Sequence, residues 1–331
     1  MPASLTEGWE VGIDLGLLRE QCRRTLERTD LPALGRRIEG KVRDSYVQGG
    51  RRTIVVSDRV SCFDVVVGTL PFKGQVLNQV AAFWFEKTRD VAPNHLISVP
   101  DPVVSIVREC KLLPVEFVMR AYLTGVTSTA IWTAYARGER SYCGHRLPDG
   151  LKKHERLPEP LLTPTTKAEH GSHDELVSRA ELIERGAISE AQYDAAAAIA
   201  ARLFAAGARW AESRGLILVD TKYEIGLDEN GGLVVIDEIH TPDSSRYWYK
   251  DRYEQAMARG RDPEALDKEY LRRWLVEQGY RGEGPVPAIP DDVRCEAARR
   301  YIEAYEQLTG RAFEPDSEAP LPRIRRHLGL D

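Results

Sequence analysis

LILVDTKYEIGLDENGGLVVIDEIHTPDSSRYW, residues Leu216–Trp248, holds two runs of strand-like alternation, LILVDTKYEIGL and GLVVIDEI, on either side of Asn230-Gly231. Asn-Gly is the strongest short-range hairpin signal, because a two-residue type I′ turn needs positive φ at both central positions. A turn centred there pairs Leu227 with Val234, Ile225 with Ile236 and Glu224 with Asp237. Alternation then groups Tyr223, Ile225 and Leu227 with Val234 and Ile236 on an apolar face, and Asp220, Lys222, Glu224 and Asp237 on the other. Two carboxylates opposed across a strand pair, Cβ atoms about 5 Å apart, repel unless a cation lies between them. The hairpin therefore predicts one wall of a metal site, with Glu224 and Asp237 as ligands. Hard oxygen donors on rigid strands suit Mg2+, which takes one or two carboxylates and completes its shell with water and substrate phosphate. The competing reading is a pair of solvated carboxylates, or one paired with Lys222.

Upstream, Ser189 opens a long helical stretch with Gln192 as a capping-box partner and Gly215 as its C-terminal stop, delivering the chain straight into this hairpin. LLPVEFVMRAYLTG alternates as a half-buried strand, and RRIEGKVRDSYVQ and RRTIVVSD flank a second hairpin signal at Gly49-Gly50. FDVVVGTLPF reads as a further strand. Leu15–Arg28 and Gln75–Arg89 read as helices, as do Pro263–Gln278 and Asp291–Leu308. Residues Leu147–His173, rich in Pro, Thr, His and Lys without periodicity, predict a long loop. Strands and helices in this order imply an α/β or α+β protein with a sheet-rich N-terminal lobe, residues 1–113, and a C-terminal α/β lobe, residues 114–331.

The 331 residues carry a formal net charge of −5 and no Lys/Arg block, which argues against a nucleic-acid or membrane-surface binder. Five scattered cysteines without CxxC spacing read as free thiols of a reducing compartment. No apolar run reaches membrane-span length and no signal-peptide pattern opens the chain, so the expected location is the cytoplasm. Anionic ligands must be met by locally placed Lys and Arg.

Four further clusters bear on chemistry. Gly40-Lys41-Val42-Arg43 combines a glycine that lets backbone approach a phosphate with two cations, although GxxxxGK[ST] is absent and a solvated turn has the same pattern. Asp243, Ser244, Ser245 and Arg246 crowd behind the metal strand, suiting a carboxylate or phosphate held bidentately; an Asx-type turn is the bland alternative. Lys167 stands with Glu169, His170, His173 and Asp174. There HxxH lacks a completing ligand set, and an anion-contacting loop is the better reading than zinc. In SDRVSCFD, Cys62 reads as a packed thiol rather than a nucleophile.

Taken in order, GKVRDSY, SDRVSCFD, GQVLNQVAAFWF, LPVEFVMRAYLTG, LTPTTKAEHGSHDE, LVDTKYEIG and IDEIHTPDSSRYW, continued into DKEYLRRWL, resemble the phosphoribosylaminoimidazole-succinocarboxamide synthase (SAICAR synthetase) family over residues 38–278. The resemblance implies a two-lobed fold with ATP in the interlobe cleft, related to ATP-grasp and kinase-like nucleotide folds. It implies an ATP-dependent carbon–nitrogen ligase of purine biosynthesis, joining carboxyaminoimidazole ribonucleotide to L-aspartate through an acyl phosphate, with Mg2+. By motif, Gly40, Lys41 and Arg43 would cover the ATP phosphates, with Glu116 near the adenine and Lys167 near the nucleotide. Arg120 and Arg246 would hold the ribonucleotide phosphate, Ser244 would line its pocket, and Lys222, Asp243 and Arg246 would touch the reacting atoms. Glu224 and Asp237 would bind the metal.

Two departures stand out. Val126 replaces the serine of the family's TGS, a role that would pass to Thr127 or Ser128, and His240 occupies an ordinarily apolar position. The rivals are an ATP-dependent kinase or ligase of another small acid, and a non-catalytic nucleotide-binding protein. Oligomeric state is not written in the sequence.

Overall fold

The computed structural model describes residues 12–127, 129–167, 175–266 and 269–331. The chain forms two compact units, one within Met1–Val80, Ser98–Ile106 and Asp267–Asp331, the other within Ala81–Ile97 and Val107–Leu266. Neither is a contiguous half, unlike the expected division at residue 113.

In the first unit, β1 (Arg36–Glu39), β2 (Arg43–Gln48) and β3 (Arg51–Val56) form a meander, and β4 (Arg59–Cys62) pairs with β5 (Val65–Thr69). With β6 (Leu96–Asp101) and β7 (Val104–Arg108) the meander completes a five-stranded sheet in the order β1-β2-β3-β7-β6. The Gly49-Gly50 turn is as expected: Gln48 pairs with Arg51, and both glycines have positive φ, 57° and 71°. RRIEGKVRDSYVQ is not one strand, because the chain reverses between Glu39 and Asp44, so Gly40–Arg43 is itself a turn.

The C-terminal segment belongs to this unit for identifiable reasons. Buried Arg323 donates to Asp101 at 2.9 and 3.1 Å, Ile324 lies in the same core as Leu31, Tyr46 and Val55, and Cys295 meets Cys22 at 3.8 Å. Helix Asp291–Thr309 matches expectation to a residue. The N-terminal helix is shorter, Leu15–Gln21, and helix Pro320–His327 was not anticipated.

The second unit is built on an antiparallel sheet. Long strands β8 (Lys111–Tyr122) and β13 (Leu216–Leu227) lie side by side at its centre; β9 (Ser141–Tyr142) and β10 (His145–Arg146) pair separately. Beside β8 run β11 (Arg156–Leu162) and β12 (Thr165–Thr166); beside β13 run β14 (Leu233–Ile236) and β15 (Ser245–Tyr249). The expected loop at 147–173 thus contributes two strands. Pro158 and Pro160 obscure the pattern, yet prolines are compatible with an edge strand, and this one is interrupted between Arg156 and Leu161.

Helix Glu190–Ser213 begins at Ser189, whose hydroxyl accepts from the Gln192 N–H, and ends before Gly215 at φ 73°. It buries Tyr193, Ala196, Leu203 and Phe204. Helix Lys250–Ala258 was missed, and of the helix expected from Pro263 the described part is Glu269–Glu277, while Leu266 donates to the Tyr247 carbonyl. No helix among the described residues is long and apolar enough to cross a membrane, and all five cysteines are free.

Candidate active site

The Asn230-Gly231 turn forms, but with one residue more in its loop than expected. Leu227 pairs with Leu233, Ile225 with Val235, and Glu224 with Ile236. The reason is Asp228. Its carboxylate accepts the N–H groups of Asn230 (2.9 Å) and Gly232 (2.8 Å), and the Asp228 N–H bonds the Gly232 carbonyl. Only Gly231 takes positive φ (79°), which makes a three-residue loop of the bulged kind. A one-residue slip moves every side chain on the partner strand to the other face. Val235, not Val234 or Ile236, is therefore the partner of Ile225, and Asp237 is not opposite Glu224.

Glu224 finds a different carboxylate. Its cross-strand partner is Glu116 on β8, both almost wholly buried. Lys222 resolves the conflict, donating to Glu116 Oε1 at 2.8 Å and Glu224 Oε1 at 2.7 Å. Lys167 pairs with the other oxygen of Glu224, and Thr165 donates to Glu116 Oε2 at 3.2 Å. Burial alone would discharge the Lys222 ammonium, but Glu224, Glu116 and Asp237 hold it above the ordinary lysine range. Asp237 thus belongs to the same electrostatic cluster, reached from the end of β14 by a left-handed residue (φ 65°) rather than by strand register.

A second cluster lies four residues along β13, about 13 Å away at strand rise. Asp220 pairs with Arg120 on β8 and with Arg246 on β15. Arg120 Nη1 stands 3.4 Å, and Arg246 Nη2 3.8 Å, from Asp220 Oδ2. Thr163 accepts from Arg120 at 2.9 Å, and Thr124 from Arg246 at 3.2 Å. Two guanidiniums face one carboxylate here, whereas three carboxylates face two ammonium groups at the other cluster. One face of the sheet is therefore cationic at one end and anionic at the other.

Between them runs the loop Asp237–Ser244. The Lys222 N–H donates to the Ser244 carbonyl at 3.1 Å, and Thr241 is fully buried, donating to Glu238 at 2.6 Å. Asp243 and Ser244 are half-buried. The structure thus gathers Glu116, Arg120, Lys167, Lys222, Glu224, Asp237, Ser244 and Arg246 on one sheet and its loops. Thr163 was missed, and Asp220, placed by alternation on the polar face with Lys222 and Glu224, was given no role. Val126 is 70% exposed. Ser128, Glu169, His170, His173 and Asp174 fall outside the described residues.

Gly40, Lys41 and Arg43 belong to the first unit. Arg59, unmarked in the sequence, braces their turn. It donates to the carbonyls of Lys41 (2.9 Å) and Gly40 (3.0 Å), to that of Glu27, and to Asp44 (3.0 Å). Lys41 itself is exposed and pairs with Asp64 at 2.8 Å.

The carboxylates fit a hard divalent ion: all are oxygen donors, and they already surround a cation. Among the described residues no three His, Cys, Asp or Glu side chains form a ligating group.

Comparison with known proteins gives a consistent result. The family profile described as SAICAR synthetase matches residues 36–287. A Mesorhizobium japonicum protein named putative phosphoribosylaminoimidazole-succinocarboxamide synthase 2 is 48% identical, covering 92% of this chain and 98% of its own. A Legionella pneumophila phosphoribosylaminoimidazole-succinocarboxamide synthase is 46% identical, covering 88% and 93%. A solved structure described as SAICAR-synthase from Saccharomyces cerevisiae complexed with SAICAR superposes with TM-score 0.76 at 32% identity, covering 87% of this chain and 99% of that one.

Proposed function

Because this chain belongs to the SAICAR synthetase family, ATP-dependent ligases that condense carboxyaminoimidazole ribonucleotide with L-aspartate in purine biosynthesis, we propose that the two charge clusters on β13 divide that reaction between them. The carrying observation is the polarity of the strand: Arg120 and Arg246 share one carboxylate at one end, while Glu116, Glu224 and Asp237 outnumber Lys222 and Lys167 at the other. The cationic end receives the ribonucleotide phosphate, Arg246 and Arg120 offering planar, bidentate donors. The anionic end takes Mg2+, held by Glu224 and Asp237; when bound, the ion neutralises charge on the phosphoryl group in transfer. For Glu224 to serve, it must release one of its two lysine contacts.

The chemistry is amide formation from a carboxylate, which resists an amine until one oxygen is made a leaving group. An oxygen of the substrate carboxylate attacks the γ-phosphorus of ATP and ADP departs, giving an acyl phosphate. The aspartate amine then attacks the acyl carbon, phosphate leaves with the former carboxylate oxygen, and the amine loses a proton. Lys222 and Lys167, released toward the phosphates, counter the charge developing there, and Asp243 and Ser244 line the pocket. Lys41 and Arg43, with Gly40 allowing close backbone approach, bind nucleotide phosphate. Glu116, which accepts from Thr165, stands near the base.

The reading is tested by coupled ADP release from ATP and the carboxylated ribonucleotide, with and without L-aspartate. Turnover that requires aspartate and yields the succinocarboxamide is expected. Absence of aspartate-dependent turnover would overturn the reading and leave a kinase or ligase of another acid as the alternative.

A further inference from the structure

His240 has no exposed surface and stands at φ 52°, a conformation that strains a non-glycine residue and persists only where the surroundings impose it. Four contacts impose it. The Tyr223 hydroxyl bonds His240 Nε2, and the Tyr247 hydroxyl donates to the His240 carbonyl at 2.8 Å. Trp84 meets the imidazole edge-on, ring centroids 4.5 Å apart at 87°. On the remaining side the long helix carries Gly207, where a Cβ would come within 2.2 Å of His240 Cε1, so the ring lies in the notch that glycine leaves.

The two tyrosines are placed tellingly. Tyr223 lies between Lys222 and Glu224 on β13, and Tyr247 follows Arg246 on β15. Alternation points each tyrosine to the helix side of the sheet while its neighbours point to the polar side. The strands that display the site residues on one face thus grip, from the other face, the loop that carries Asp237, Asp243 and Ser244. We propose that Tyr223, His240 and Tyr247 form a positioning clamp that sets the Asp237–Ser244 loop against Lys222. An apolar residue at 240 would fill the notch but leave the loop joined to β13 by one hydroxyl fewer. This inference rests on the roles given above to Asp237 and Ser244.

The test compares Tyr223→Phe, which removes one oxygen and keeps the ring, with His240→Leu, His240→Gln and the Tyr223→Phe/His240→Leu pair. Measured are kcat, KM for the ribonucleotide, the activation constant for Mg2+ and the thermal midpoint, with Asp237→Asn as reference. A clamp predicts that Tyr223→Phe and His240→Leu each weaken Mg2+ activation and kcat/KM by about ten- to a hundredfold, since misplacements near 1 Å carry penalties of that size. The pair should be little worse than either alone, and His240→Gln should recover part of the loss. Constants within about twofold of the parent, with only a lower thermal midpoint, would make the cluster purely structural and overturn the proposal. If Asp237→Asn is itself harmless, the metal reading has failed instead. If His240→Leu does not fold, Tyr223→Phe decides alone.

Discussion

Glu116 and Glu224 are direct cross-strand partners, and a single ammonium group, that of Lys222, hydrogen-bonds both. Opposed carboxylates were expected in this sheet; the strand that supplies the second one was not.

Removing that ammonium exposes the repulsion. Lys222→Met should abolish measurable ligation and cost about 3 kcal/mol of stability by leaving buried Glu116 without its ammonium partner and Glu224 with Lys167 alone. Mg2+ should then raise the thermal midpoint of the variant more than that of the parent, because a cation is missing where one is needed. Equal metal-induced shifts in the two proteins would count against a cation site at Glu224.

Asp237→Asn keeps the size of the side chain and removes its charge. Activity should fall by about a hundredfold or more, the scale of losing one charge-stabilising group, while the far-ultraviolet circular dichroism stays native. Near-parental turnover at saturating Mg2+ would take Asp237 out of the metal shell.

The notch beneath His240 makes an ordinarily benign substitution harmful. Glycine to alanine inside a helix normally gains about 1 kcal/mol. At position 207 the new methyl would meet His240 Cε1 at 2.2 Å, so overpacking should turn that gain into a loss of about 1–3 kcal/mol, read from urea unfolding. Gly207→Ala/His240→Ala should recover most of it.

Burial holds His240 down to about 3 from the usual 6.5, so the folded protein keeps it neutral where the unfolded chain binds a proton. A depressed folded value means stabilisation is complete above about pH 6.5 and is lost as pH falls toward 3. Between pH 7 and pH 5 this amounts to about 2 kcal/mol, and the slope of unfolding free energy against pH should be shallower in His240→Leu by that amount. Asp58, raised to about 6 by its own burial, acts in the opposite sense. Being common to both proteins, it cancels in the difference. Parallel slopes would mean that His240 is protonated in the native state.

Much of the site was legible because it is written on strands. The parity of Asp220, Lys222 and Glu224 on β13, and of Glu116 and Arg120 on β8, follows from the two-residue repeat and needs no tertiary information. What misled was a local competition. Asn-Gly promises a two-residue turn, but the Asp228 carboxylate satisfies two loop N–H groups and makes the three-residue version better bonded. Other features were out of reach because their partners are far apart in sequence. Arg59 joins Glu27, Gly40, Lys41 and Asp44; His240 meets Trp84 and Gly207; Arg323 finds Asp101. No periodicity encodes such meetings. The family resemblance supplied the roles that pattern alone left open, such as the one proposed for Arg120.

The bracing of the Gly40–Arg43 turn by Arg59 has a thermodynamic corollary. A loop whose Gly40 and Lys41 carbonyls are already held by Arg59 has spent much of its conformational entropy in the folding step, so an anion that binds there need not organise it. Association at this turn should then carry little of the heat-capacity and entropy signature of coupled ordering, and its strength should track ionic strength more than temperature.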